Sequence, residues 1–146
     1  MPFMSKLKPA TIYFENAAGR LLEEPAGFMR TIWGSGPRRP EDTRAVFTHM
    51  MLALQRHGWS RILIDQRPMQ PFTAEEQTWI TQEWMPRAVS EGGYRHGAVI
   101  VSPNVMVRLA TAYITTQVLG LPLQYRSFET EAEALAWLLQ QPAAPQ

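Results

Sequence analysis

The chain has 146 residues, of which 45% are hydrophobic and 10% aromatic, a composition typical of one folded domain. Its 14 Lys and Arg residues nearly balance its 13 Asp and Glu residues, so the formal net charge is +1. This balance argues against nucleic acid or an anionic membrane as the partner, since both attract a concentrated positive charge. Because the chain has no cysteine, disulfides, thiolate nucleophiles and cysteine-ligated metals are excluded.

Neither end of the chain has the pattern of a targeting or membrane segment. Residues 1–10 carry two lysines and no long apolar run, unlike a secretory signal. The most apolar stretch, Ala98–Val101, is far shorter than the roughly 20 residues that a membrane-spanning helix needs. We therefore expect a single cytoplasmic domain over residues 1–146, with flexible ends at 1–10 and 141–146.

The first third of the chain predicts strands. Thr11–Glu15 is β-branched and aromatic, and a turn at Asn16–Gly19 separates it from a short strand at Arg20–Glu24. A second turn, Pro25–Gly27, precedes Phe28–Trp33, in which side chains alternate between two faces. Adjacent strands joined by short turns indicate an antiparallel meander.

The hydrophobic period then changes. Glu41–His57 has apolar residues at helical spacing and is followed by Gly58, a typical helix stop. The next segment, Arg61–Asp65, is predicted to be a strand buried on both faces. A capping box at residues 73–76 opens a second helix, which Pro86 is expected to kink or divide.

The strand and helix pattern repeats to the end of the chain. Ala98–Val101 predicts a buried strand, and Ser102 followed by Pro103 predicts the start of a helix. The apolar stripe of this helix is Val105, Leu109, Ala112 and Tyr113. Leu123–Phe128 is a last strand, and a second capping box at residues 130–133 opens a last helix. Strands separated by helices pair in parallel through right-handed crossovers, so we predict an α/β fold in which an antiparallel meander leads into parallel strands.

This order of elements resembles the STAS-like superfamily, which is named for sulfate transporters and anti-sigma-factor antagonists. Four segments are similar to a small, uncharacterised bacterial branch of it, namely residues 65–67 (DQR), 71–77 (PFTAEEQ), 91–95 (EGGYR) and 128–138 (FETEAEALAWL). The resemblance implies a cytoplasmic regulatory or interaction module that is not a known catalyst.

One departure from the superfamily concerns its phosphorylation switch. Anti-sigma-factor antagonists carry an Asp-Ser-Ser-Gly-like motif where the second crossover helix begins, and phosphorylation there controls partner binding. In this chain Thr73 is the one hydroxyl near that position, and Glu75 and Glu76 would repel a phosphate. We therefore interpret Thr73 as a helix N-cap, with the switch as the alternative.

Polar residues follow three of the predicted strands. They are Asp65, Gln66 and Arg67, then Ser102 and Asn104, and finally Glu129 and Thr130. Because ligands of parallel sheets favour the carboxyl ends of the strands, this edge is the candidate site for a small polar ligand. The alternative is that Asp65 and Arg67 form loop hydrogen bonds or a salt bridge, as strand-end residues commonly do.

The sequence predicts neither a metal nor a cofactor. The three histidines do not recur at the spacing of metal ligands, and no nucleophile elbow, phosphate loop or dinucleotide fingerprint is present. Trp84, on a stripe with Trp79 and Ile80, is interpreted as covering the sheet. The alternative is that it lines a pocket or a self-association surface, together with Met69 and Phe72.

Three functions follow from these observations. We favour a non-enzymatic module that binds a protein partner and forms a homodimer. The alternative is a small-molecule binding protein, or an unassigned enzyme, that uses the edge around Asp65, Gln66 and Arg67. A third reading, nucleic-acid binding through Arg38, Arg39 and Arg44, is the weakest because the chain is nearly neutral.

Overall fold

The computed structural model describes residues 8–146, so most of the predicted flexible start lies outside the described residues. The strands are β1 (Thr11–Glu15), β2 (Gly19–Glu24), β3 (Phe28–Trp33), β4 (Arg61–Asp65), β5 (His96–Ile100) and β6 (Gln124–Phe128). The helices are α1 (Pro40–His57), α2 (Ala74–Trp79), α3 (Met85–Ser90), α4 (Val105–Thr116) and α5 (Glu131–Leu139). A π-helical turn, Ile80–Trp84, joins α2 to α3.

The strands form one six-stranded sheet in the order β1-β2-β3-β4-β5-β6. The first three pair antiparallel, and β3 to β6 pair in parallel. Residues directly across β4 and β5 include Leu63 with Ala98 and Asp65 with Ile100, so these two strands end at the same edge. The predicted mixed sheet, with its meander followed by parallel strands, is confirmed.

The helices cover the two faces of the sheet unequally. One core cluster joins the sheet to α1, to the continuous rod of α2, the π turn and α3, and to α4. A second, smaller cluster packs Ala134, Trp137 and Leu138 of α5 against Phe28, Leu63 and Ala98 on the other face. All three crossovers therefore lie on one face, as right-handed connections require when the strands advance in one direction.

The helical backbone continues through Pro86, where the sequence predicted a kink or a division. Pro86 has no N–H to donate, and the π turn immediately before it widens the helix, so that the N–H of Met85 bonds to the carbonyl of Ile80. The chain thus passes the proline as one continuous helical rod.

Gly97 occupies the most crowded glycine position of the sheet. A Cβ atom there would overlap the side chains of Tyr94 and Tyr125, whose ring centroids lie 5.8 Å apart. Only a residue without a side chain lets these two buried rings approach each other across β5 and β6.

The end of the chain, predicted to be frayed, is bound to the fold. The N–H of Ser60 donates to the carbonyl of Ala143 at 2.9 Å, and the Ser60 hydroxyl donates to the carbonyl of Pro142 at 2.9 Å. The guanidinium of Arg61 also donates to the carbonyl of Gln141. Residues 141–143 therefore supply backbone acceptors to Ser60 and Arg61, contacts that the composition of this segment does not reveal.

Candidate functional site

The three residues after β4 do not form one site. Arg67 turns back on Asp65, to which its Nε donates at 3.0 Å and its guanidinium terminus at 2.7 Å. Burial by itself raises the pKa of Asp65, but the hydrogen bonds and the positive charge of Arg67 outweigh it, and the pKa lies below its ordinary value. Asp65 is therefore held as a carboxylate by its own neighbour.

Asp65 and Arg67 belong to a longer chain of charges on the α5 side of the sheet. Arg67 lies 3.8 Å from Glu131, which accepts from Arg30 at 2.9 Å, and Arg30 also pairs with Glu24 at 2.6 Å. The chain ties β2, β3, β4 and the first turn of α5 together. The salt bridge that the sequence left as the alternative is the arrangement found here.

Gln66 faces the opposite side of the sheet. Its Oε1 accepts from the hydroxyl of Thr111 on α4 at 2.8 Å, and both side chains are buried. This bond connects the end of β4 to the inner face of α4.

Gln66 also lines a chamber between the sheet, α1, the π turn and α4. Apolar and aromatic side chains form most of its wall, and Thr111, Thr115 and Tyr125 add hydroxyl groups. Its free volume of about 30 Å³ has room for one or two water molecules. Ligand pockets have volumes of about 300 Å³ or more, so this chamber is a gap in the core with room for water only.

Thr73 is the N-cap of α2, and its hydroxyl accepts from the N–H of Glu76 at 3.1 Å. Glu76 in return accepts from the N–H of Thr73 at 2.8 Å, which completes the predicted capping box. The capping role is confirmed, and the structure adds partners for Glu76 that the sequence did not predict.

The added partners of Glu76 are Arg38 and Thr43. The guanidinium of Arg38 donates to the Glu76 carboxylate at 2.9 and 3.1 Å and also to the carbonyls of Gln70 and Pro71. Burial alone raises the pKa of Glu76, but these donors reverse the effect and the pKa lies below its ordinary value. Arg38 is thus engaged within the fold, whereas the weakest of the three sequence interpretations required it to face a nucleic acid.

Trp84, a candidate for a pocket or self-association surface, lies in the core. It is 3% exposed, and its indole N–H donates to the carbonyl of Phe47 on α1 at 2.6 Å. It does not line the chamber or reach the surface, so the interpretation that it covers the sheet is the one the structure supports. The binding role was wrong because a helical stripe does not reveal which of its aromatic residues face outward.

Asn104 is the N-cap of α4, since its Oδ1 accepts from the N–H of Met106 at 2.8 Å. The predicted start at Ser102 and Pro103 was therefore two residues early, and Ser102 instead accepts from the N–H of Asn104. Within the described part of the chain, Ser102 and Asn104 form no hydrogen bond with Asp65 or Arg67. The polar residues at the ends of the strands therefore belong to separate hydrogen-bonded contacts and do not form one site.

The outer surface of α4 is the feature that sequence reasoning missed. The buried residues of this helix are Val107, Ala110, Thr111 and Ile114. Its exposed residues are also apolar: Val105 is 66% exposed, Met106 61%, Leu109 59% and Tyr113 50%. These four residues are called the α4 face below. An apolar helix face of this kind in water marks a contact surface more often than chance exposure.

The signal for the α4 face was present in the sequence. Of the twelve residues Val105–Thr116, Arg108 alone carries a charge, so α4 lacks the charged side that a surface helix usually has. The stripe Val105, Leu109, Ala112 and Tyr113 has helical spacing as predicted, yet it points away from the sheet. The composition of a helix, and not only its period, would have shown that one apolar face remains uncovered.

Comparison with known proteins places the chain in a family. The family model described as SpoIIAA-like matches residues 32–139. The chain belongs to the SpoIIAA-like family. No curated protein and no solved structure matches it significantly. The predicted STAS-like relationship is confirmed, and SpoIIAA-like domains are protein-interacting modules of regulatory type.

The described part of this SpoIIAA-like domain contains neither a cluster of metal-binding side chains nor a helix that could span a membrane. Among residues 8–146, no cluster of three or more histidine, aspartate or glutamate side chains is placed to hold a metal ion. Within the same residues, no helix is both long and apolar enough to pass through a bilayer.

Proposed function

We propose that this protein is a non-enzymatic regulatory module that binds protein through the α4 face, and that one partner is a second copy of the chain. The observation that carries the proposal is the exposure of Val105, Met106, Leu109 and Tyr113 on one helix. Family membership supports an interaction module, and a cytoplasmic location fits this role.

The charges beside the α4 face favour a protein surface over a lipid surface. Helices that lie on membranes carry lysines and arginines along their polar side. Arg108, the single charge of α4, donates to Glu129 at 2.7 Å, so its charge is already matched. Because Arg108 and Glu129 lie side by side, the rim carries one group of each sign, and two copies can meet there without an excess of one charge.

The α4 face is long enough for a helix-to-helix contact. Twelve residues at about 1.5 Å each extend roughly 18 Å, and two copies related by a two-fold axis would pack α4 antiparallel on α4. Leu109 lies near the middle of the helix, where such a contact is best shielded from water.

Sedimentation velocity at several concentrations tests the proposal. We expect the wild-type protein to self-associate and Leu109→Glu to remain monomeric, because a carboxylate would be buried without a partner. Leu139→Glu is the matched control, since Leu139 is 45% exposed on α5, on the other face of the sheet. A wild-type protein that stays monomeric at every concentration, or a Leu109→Glu variant that associates as well as Leu139→Glu, would overturn the proposal.

A further inference from the structure

The methionines of the described chain fall into two groups by exposure. Five of them are at most 5% exposed and belong to the core: Met29, Met50, Met51, Met69 and Met85. Met106 is 61% exposed. A thioether must be reached by an oxidant to react, so among residues 8–146 this one sulfur is open to attack.

Met106 lies within the α4 face. It stands three residues before Leu109 and seven before Tyr113, spacings that place the three side chains on one side of the helix. The hydrogen bond from its N–H to Asn104 holds it in the first turn of α4. The exposed sulfur is therefore part of the same surface that the proposed function uses.

We propose that Met106 is a modification site at which a hydroperoxide weakens the contact made by the α4 face, an inference that rests on the proposed function. The sulfur lone pair attacks the outer oxygen of the peroxide, the O–O bond breaks, and a sulfoxide and a molecule of water or alcohol are formed. The sulfur is oxidised by two electrons and the peroxide is reduced by two. Methionine sulfoxide can be reduced again by reductases, so the change is reversible.

Oxidation changes the α4 face without changing its charge. The sulfoxide oxygen is a strong hydrogen-bond acceptor, and the side chains around it, Val105, Leu109 and Tyr113, are mainly apolar. Burying it against a second copy without a donor weakens association by about tenfold or more. Association in turn shields Met106 from the oxidant, because the contact covers the sulfur.

Peptide mass mapping during treatment with hydrogen peroxide tests the site. We expect one oxygen atom to be added at Met106 before any of the five core methionines reacts, and more slowly at protein concentrations where the chain associates. Oxygen added to a core methionine as fast as to Met106, or a rate at Met106 that does not depend on protein concentration, would overturn the inference.

Sedimentation velocity of the oxidised protein tests the consequence. We expect association of the wild-type protein to weaken about tenfold or more on oxidation, whereas Met106→Leu associates normally and does not respond to peroxide. Equal association before and after oxidation, or the same loss in Met106→Leu, would overturn this inference alone. An untreated wild-type protein that is monomeric throughout would instead overturn the proposed function, and with it the role given to Met106.

Discussion

Glu76 is the residue on which the loops at the carboxyl edge of the sheet converge. It caps its own helix through Thr73, binds Arg38 from the loop before α1, and accepts from the hydroxyl of Thr43 in the first turn of α1. Arg38 also lies over the ring of Phe72, 5.4 Å from its centroid. A buried carboxylate with these donors is stable because its hydrogen bonds and the arginine charge offset the loss of water.

Replacing Glu76 tests this arrangement. We expect Glu76→Gln to lower the free energy of unfolding by about 2–3 kcal/mol at pH 7, since it leaves the Arg38 guanidinium without its counter-charge. Chemical denaturation measures the change. Glu75→Gln is the control, because Glu75 is an exposed acid in the same helical turn.

The pH dependence of the Glu76 effect has a defined sign. The folded state lowers the pKa of this carboxyl from its ordinary value of 4.5, so the ionised group stabilises the fold above that pH. The contribution is lost as the pH falls through the lowered value, and the wild-type protein and Glu76→Gln should converge in stability there. A difference that stays constant down to strongly acidic pH would contradict this account.

At the level of elements, α4 differs from the other helices in having two apolar sides. Its inner side lines the chamber through Thr111, Ile114 and Thr115, and its outer side is the α4 face. A helix with this composition is usually buried all round. The inner side and the N-cap account for the fold of α4, and the outer side is the surface to which we assign the proposed partner.

The N-cap of α4 makes a separate prediction. We expect Asn104→Ala to lower the free energy of unfolding by about 1 kcal/mol, because the N–H groups of Met106 and Val107 lose the side-chain acceptor. Asn104→Asp should restore it, since aspartate is an equally good cap. Thermal and chemical unfolding measure both variants. If Asn104→Ala were as stable as the wild type, the cap assigned to Asn104 would be wrong.

At the scale of the whole molecule, the buried side chain of Arg61 connects distant segments at the end of the sheet where the parallel strands begin. Arg61 donates to the carbonyls of Ala26, Gly27, Leu138 and Gln141, from the turn after β2 and from the end of α5. Burial lowers its pKa from the ordinary value. The last carbonyls of a helix carry partial negative charge, which helps to hold a cation there. The ion pairs of Arg30 and Arg67 likewise connect strands to α5 on the same face of the sheet.

Local sequence determined the elements because their causes lie within a few residues. The alternation of Phe28–Trp33, the capping box at Thr73 and the buried run Arg61–Asp65 each produced the predicted element with the same or nearly the same bounds. Element order was also enough to predict the mixed sheet, and the resemblance of that order and of four short segments to STAS-like proteins indicated the family. The contacts of individual side chains could not be predicted in this way.

The tertiary structure decided which side of each element meets water and which charges meet each other. Arg38 reaches Glu76 and Arg30 reaches Glu131 over long separations in sequence, and no local pattern specifies such pairs. Trp84 and Leu109 both lie on helical stripes, yet packing against α1 buries the first and leaves the second exposed. The physical reason is that periodicity defines the faces of a helix, whereas the position of the neighbouring elements determines which face is covered.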